Sequence, residues 1–459
     1  MLKQDVAQAV IAEALKTGGD FAEIFLEDRQ NHNLSMLSGK IESVNSRRLH
    51  GAGVRVFNGF QGVYVYTNDT SLEGLLACAR RAASAVEAQK KHTAAPLMWQ
   101  ETPTIHAIRE MPDRVKTARK VEKMKMAGAV LKQEKEVAQA SVGYLDSVQR
   151  VWIANSEGLF TSDTRVYTRF MVSAIASNGT ENQTGYEGPG AMQGFEIFDQ
   201  RIDPEAVARE AARQAVLMLH APVCPSGVMP VVIDNGFGGV IFHEACGHSL
   251  EATSVAVGNS EFCGKLGQKI AADCVTAVDD GTIPNEWGSL NIDDEGTPTT
   301  KLVLIENGIL KNYMIDKLNA RRMQMPVTGS GRRQGYMFAP TSRMRNTYIA
   351  SGKDDNDEII ATMGDGLYAR RMGGGSVEPT TGKFNFSVQE GYLVKDGKIV
   401  HPVRGASLIG RGSEILPKID RVGKDMRMAQ GMCGSLSGSI PTNVGQPMIR
   451  VAELTVGGR

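Results

Sequence analysis

Glycine punctuates this chain so often that short elements and tight turns are the first expectation. Fifty of its 459 residues are glycine, against a usual share of about 7%. Glycine supplies the positive φ that tight turns need, so the pattern predicts many short strands. Between Phe21 and Thr67, alternating apolar stretches break at Ser38-Gly39, Gly51 and Asn58-Gly59, which reads as three to five antiparallel strands. Strands return over 137–175, with a hairpin turn at Asn155-Ser-Glu-Gly158. Helical periodicity marks 5–16, 71–88 and 113–135, the last capped by Asp113 and striped by Val115, Ala118, Val121, Met124, Ala127 and Leu131. Asp203-Pro204 opens another helix that runs to about Leu219. A Pro/Gly/Ser linker at 221–227 then divides the chain. The expected fold is α+β in two domains. Residues 1–222 form layers of antiparallel sheet and helices, and residues 228–459 form a β-rich domain wrapping a single helix.

Composition removes several function classes. Lysine plus arginine number 51 and aspartate plus glutamate 51, so no basic excess points to nucleic acid. The basic face of the third helix (Arg119, Lys120, Lys123, Lys125) reads as solvated. No window approaches 18 uncharged apolar residues, which argues against a membrane span. The N-terminus lacks the basic and apolar regions of a signal peptide. Six scattered cysteines without a CxxC pair fit free thiols in a reducing compartment. A cytoplasmic protein is expected.

The segment that carries chemistry is His243-Glu-Ala-Cys-Gly-His248, an HExxxH pattern. Two imidazoles offer zinc ligands, and Glu244 can serve as general base toward a metal-activated water. On a regular α-helix, positions i and i+5 lie about 140° apart, against about 40° for i and i+4. One ion is out of reach of both rings unless a π-type turn, of about 4.4 residues, intervenes and closes the gap to about 50°. Gly247 suits such a distortion. A third protein ligand is needed, and the residues alone leave Glu251, Glu261, Asp273, Cys246, Cys263, Cys274 and Cys433 open. Cys246 is the poorest of these, and Cys433 lies in a turn-rich stretch, Gly431-Met-Cys-Gly-Ser-Leu-Ser-Gly438.

A series of segments in the C-terminal half resembles the TldD/PmbA family of metallopeptidases, on its motif-bearing, TldD-like side. Beyond the motif they are Asp279-Asp-Gly-Thr, Asp293-Asp-Glu-Gly-Thr-Pro298, Ile305-Glu-Asn-Gly-Ile-Leu, Asp316-Lys-Leu-Asn-Ala-Arg and Gly331-Arg-Arg. Arg343-Met-Arg-Asn-Thr347, Gly373-Gly-Gly, Thr381-Gly-Lys-Phe384, Pro402–Gly410 and Leu454-Thr-Val-Gly-Gly458 follow in order. The resemblance implies a zinc ion on His243, His248 and Cys433, with Glu244 as catalytic base. It also implies a dimer enclosing the active sites, as a homodimer or paired with a PmbA-like subunit.

Together these readings predict a zinc-dependent peptidase acting on short or unfolded peptides. A thiolate ligand leaves the site near a net charge of +1, which fits slow, restricted hydrolysis. The abundance of strands suggests peptides held by main-chain pairing. The alternative is a zinc-stabilised protein that binds peptides or a partner without cutting them, although a structural site has no need of Glu244. A redox role for Cys433 ranks third. Asp293-Asp-Glu reads as an acidic turn, and the glycine-rich run from Gly375 to Lys383 as a hairpin and not a phosphate loop. Arg332, Arg333, Arg343 and Arg345 divide evenly between peptide-carboxylate binding and structural ion pairs. Glu251 divides likewise between orienting His248 and a surface or cap role.

Overall fold

The computed structural model describes residues 1–86, 92–378 and 380–458. Its first half is built on one mainly antiparallel sheet. From one edge, its strands run Gln61–Thr67, Lys40–Asn58, Phe21–Leu37, Val137–Asn155, Leu159–Ser177 and Met98–Trp99. Four of these reach 17 or 19 residues, longer than the glycine pattern predicts. Gly51 and Gly53 explain the difference, because both sit inside a strand. A Cβ on Gly51 would fall 2.4 Å from the Tyr336 ring, and one on Gly53 would fall 1.8 Å from the Tyr64 hydroxyl. Glycine serves here for close approach and not for turning. Ser38-Gly39, Asn58-Gly59 and Asn155–Gly158 do turn, with positive φ at Ser38, Gly39, Gly59 and Gly158.

Helices Gln4–Ala14 and Leu72–Ser84 bury Ile11, Leu75 and Ala79 against Ile24 and Val54 of the sheet. Ser71 caps the second by accepting the Gly74 N–H. Residues 87 and 88, expected in that helix, lie outside the described residues. The third helix begins at Thr117, after a separate turn at Pro112–Arg114, so Asp113 is not its cap. Its buried face is Lys120, Met124, Ala127 and Leu131, and Ala118 points outward. Lys120 therefore leaves the solvated face expected for it and pairs with buried Asp146 at 2.5 Å. Helix Pro204–His220 starts at the expected Asp203 cap.

Among the described residues, the strands beyond residue 226 pair only with one another. One sheet runs Ile309–Leu310, Lys301–Glu306, Ala277–Asp280, Asn346–Ile349, Gly438–Gln446 and Arg427–Ser435. A second closes into a barrel through Gly366–Glu378, Gly227–Ile233, Ile449–Gly457, Ser407–Arg411 and Lys383–Lys395, which returns to the first of these. Between the two sheets lies the motif segment, whose Val240, Ile241, Phe242, Ala245 and Leu250 belong to the largest core cluster. Short helices at Lys317–Met323, Asn356–Ala361 and Gly412–Ile415 interrupt the expected strand-and-turn region.

Asp293-Asp-Glu is a turn, but a buried one that joins the two halves. Arg55 reaches Glu23 at 2.9 Å and Glu295 at 2.6 Å, Arg333 reaches Glu23 at 2.7 Å, and Arg165 reaches Asp294 at 2.6 Å. Among the described residues, no helix is long and apolar enough to cross a membrane.

Candidate metal centre

The motif segment is irregular because its neighbours press on it through glycines. It opens as a 3-10 turn at Gly236–Gly239, where a Cβ on Gly239 would lie 2.5 Å from the backbone of Gly445. After Val240–Phe242, residues His243–Gly247 form a π-type turn, and the His248 N–H donates to the His243 carbonyl. A Cβ on Gly247 would meet Met344 Sδ at 2.3 Å, and one on Gly412 would meet the Ala245 carbonyl at 1.9 Å. The extra residue in the turn rotates the two imidazoles onto one side. Their centroids are 5.0 Å apart and their planes 86°.

Cys433 arrives from the other end of the C-terminal half. It lies on the edge strand Arg427–Ser435, opposite Ile440, and not in the loop expected from its glycines. Its Sγ is 3.3 Å from Nε2 of His243 and 3.3 Å from Nε2 of His248. The three donor atoms lie within 4.8 Å of one another. Zinc bonds of about 2.0–2.3 Å in tetrahedral geometry set ligand atoms about 3.3–3.7 Å apart, which the two thiol–imidazole separations of 3.3 Å match.

Charge in the site follows from this packing. Burial alone would raise the Cys433 thiol, but His243 and His248 outweigh it and hold the group well below the usual thiol range. Burial would lower His248, yet Glu251 and Cys433 push it well above the usual imidazole value. The cluster thus favours a thiolate, the form in which cysteine binds metal. Glu251 Oε2 lies 3.2 Å from His248 Nδ1, which leaves Nε2 facing Cys433. Glu244 Oε2 lies 3.7 Å from the same Nε2, and 21% of its side chain remains exposed.

The other candidate ligands lie elsewhere. Cys246 is buried in the core. Cys263 and Cys274 lie near the carbonyls of Val255 and Ile419, and Asp273 pairs with Lys269. Glu261 packs against Gly382 and Gly412. All four arginines are buried and engaged. Arg345 pairs with Asp279 at 2.7 Å and Arg333 with Glu23, while Arg332 donates to the carbonyls of Met344 and Pro441 and Arg343 to that of Cys433. Arg333 and Arg345 stand on the ion-pair side of that even division, while Arg332 and Arg343 hold backbone carbonyls. A polar cavity of about 1190 Å3, lined in part by Gly373, Gly374, Ser387 and Arg427–Gln430, was not foreseen. None of the three donor residues lines it. Its signal in the sequence was Gly373-Gly-Gly, where a Cβ on Gly374 would meet nothing within 4 Å.

Family models agree with this architecture along nearly the whole chain. Residues 22–86 match PmbA/TldA metallopeptidase domain 1, residues 110–219 the central domain, and residues 226–458 the C-terminal domain. These matches define the class as a metallopeptidase. The chain belongs to the PmbA/TldD family. It is 36% identical over 448 residues to the metalloprotease TldD homolog of Haemophilus influenzae, covering 96% of this chain and 93% of that one. A metalloprotease of Methanothermobacter thermautotrophicus is 32% identical over 441 residues, 96% of each chain. The zinc metalloprotease TldD homolog of Saccharolobus solfataricus is 30% identical over 317 residues, 69% of this chain and 68% of that one. TldE from Thermococcus kodakarensis has the same fold, with a TM-score of 0.77 at 19% identity over 99% of this chain and 100% of that one. So does a Thermotoga maritima protein, with a TM-score of 0.80 at 22% identity over 99% of this chain and 100% of that one.

Proposed function

We propose that the protein hydrolyses peptide bonds in short or unfolded peptides at a zinc ion held by His243, His248 and Cys433. The observation that carries this reading is the π-type turn, which brings both imidazoles to Cys433 from positions that a regular helix would separate. When bound, zinc supplies a Lewis acid for the scissile carbonyl and lowers the pKa of water. Glu244 is the partly open group beside the donors. Its carboxylate accepts the proton of the attacking water and returns it to the leaving amine. Glu251 fixes the His248 ring so that Nε2 faces Cys433, where it would hold the ion.

Extended peptides suit the surroundings. Cys433 lies on the last strand of its sheet. Arg169, Trp287 and Arg343 occupy the carbonyls of Gln430, Gly431 and Cys433, so main-chain pairing with a peptide falls to the remaining backbone groups of the Met432–Ser435 end. The division into domains 1–222 and 228–459, a homodimer or a dimer with a PmbA-like subunit, and a cytoplasmic location complete the reading. Six free thiols, one of them a proposed ligand, suit a reducing compartment. The test is to incubate the purified protein with an unstructured peptide library, with and without a chelator, and to read fragments by mass spectrometry. Chelator-sensitive fragments are expected. Peptides retained intact by the zinc-loaded protein would favour the binding-protein alternative.

A further inference from the structure

The two arms of the site are joined behind it by a buried pair, Glu251 and Arg343. Glu251 is 4% exposed and Arg343 0%. One carboxylate oxygen of Glu251 faces His248 Nδ1 at 3.2 Å. Its other oxygen lies 3.8 Å from Nε of Arg343. The same guanidinium donates from Nη2 to the Cys433 carbonyl at 2.5 Å, and from Nη1 to Ser437 Oγ and the Gly438 carbonyl, both at 2.9 Å. Arg343 therefore grips both strands of the hairpin that carries Cys433 and, from its third side, faces the carboxylate that aims His248.

We infer that Arg343 is a positioning residue that sets the separation of Cys433 from His248 and so tunes metal affinity. The inference rests on the assignment of His243, His248 and Cys433 as ligands. Its physical basis is the planar fork of the guanidinium. Five donors in fixed directions can hold three acceptors on the hairpin while facing a fourth group, whereas an ammonium is a point charge. Without the fork, the hairpin tip is free to shift relative to the motif helix, and neither ligand alone restores the spacing. The 3.8 Å gap between Arg343 and Glu251 matters less for its own energy than for what each holds.

The test compares Arg343→Lys with Arg345→Lys. Arg345 is equally buried and lies two residues away, but its fork serves Asp279 and the carbonyls of Thr328 and Gly329, while its backbone carbonyl, which the substitution keeps, accepts the Asn443 N–H of the hairpin. Zinc affinity is measured by chelator competition on folded protein, and the cobalt(II) form is examined for its thiolate charge-transfer and ligand-field bands. Arg343→Lys should weaken zinc binding by about 10–100-fold and shift the cobalt spectrum, whereas Arg345→Lys should lower thermal stability and keep both. If Arg343→Lys does not fold, Ser437→Ala removes one of the three hairpin bonds and should give a smaller loss of the same kind. Wild-type zinc affinity in a folded Arg343→Lys or Ser437→Ala protein would overturn the inference, as would equal losses in Arg343→Lys and Arg345→Lys. If Cys433→Ala binds zinc as tightly as wild type, the ligand assignment fails, and this inference falls with it.

Discussion

Glu244 and Glu251 show how two carboxylates on one short segment meet different surroundings. Glu251 is buried against His248 Nδ1 and Arg343, so its position is fixed and its access to water is small. Glu244 stands beside the donor atoms on the open side. Replacing Glu244 by Gln keeps the shape but removes the proposed proton acceptor. Zinc content and fold should persist while hydrolysis falls by about 10²–10⁴-fold. Full turnover in that variant would place the base elsewhere. The types of residue in the site were readable from the sequence, because histidine is scarce here and a glutamate adjoins the first of the pair. The buried roles of Arg332, Arg333, Arg343 and Arg345 were not. Each depends on partners 12 to 310 positions away, and spacing within a segment carries no signal for those.

At the scale of the element, the five-residue spacing of the histidines demanded a π-type turn, and the structure contains one at that place. The turn is held by close packing at Gly239, Gly247 and Gly412. Gly247→Ala should therefore press its methyl on Met344 and cost about 1–3 kcal/mol, as overpacking does. Met344→Ala should relieve part of that cost, so urea denaturation of the two single variants and the double should give non-additive stabilities. Strict additivity would show that Met344 does not shape the turn. Strand ends were legible wherever glycine has a positive φ, as at Gly39, Gly59 and Gly158. They were misread at Gly51, where the glycine makes room for a tyrosine that belongs to a distant segment. Asp113 was misread for a similar reason. It is a good cap by type, but Pro112–Arg114 closes its own turn before the helix begins.

Across the whole molecule, two long-range devices hold distant segments together. One is the buried ionic junction between the halves. Burial pushes Glu295 up to about 8, opposed by Arg55 and reinforced by Asp316, Asp293 and Glu23. A carboxyl raised on folding contributes stability below its ordinary value, and that contribution is lost as pH rises through about 8. The Glu295 contribution to melting temperature should therefore fall between about pH 5 and 9, the range over which the group titrates between its unfolded and folded states, and Glu295→Gln should flatten the fall. An unchanged slope would contradict the shift. The other is the proposed metal site, whose Cys433 lies 185 residues beyond His248. An ion bound only by the folded chain adds its binding free energy to stability. The most direct measurement is zinc content and melting temperature for wild type, Cys433→Ala and Cys274→Ala side by side. The account predicts one zinc per chain and the higher melting temperature in wild type and Cys274→Ala, with both lost in Cys433→Ala. Stoichiometric zinc in Cys433→Ala would contradict it.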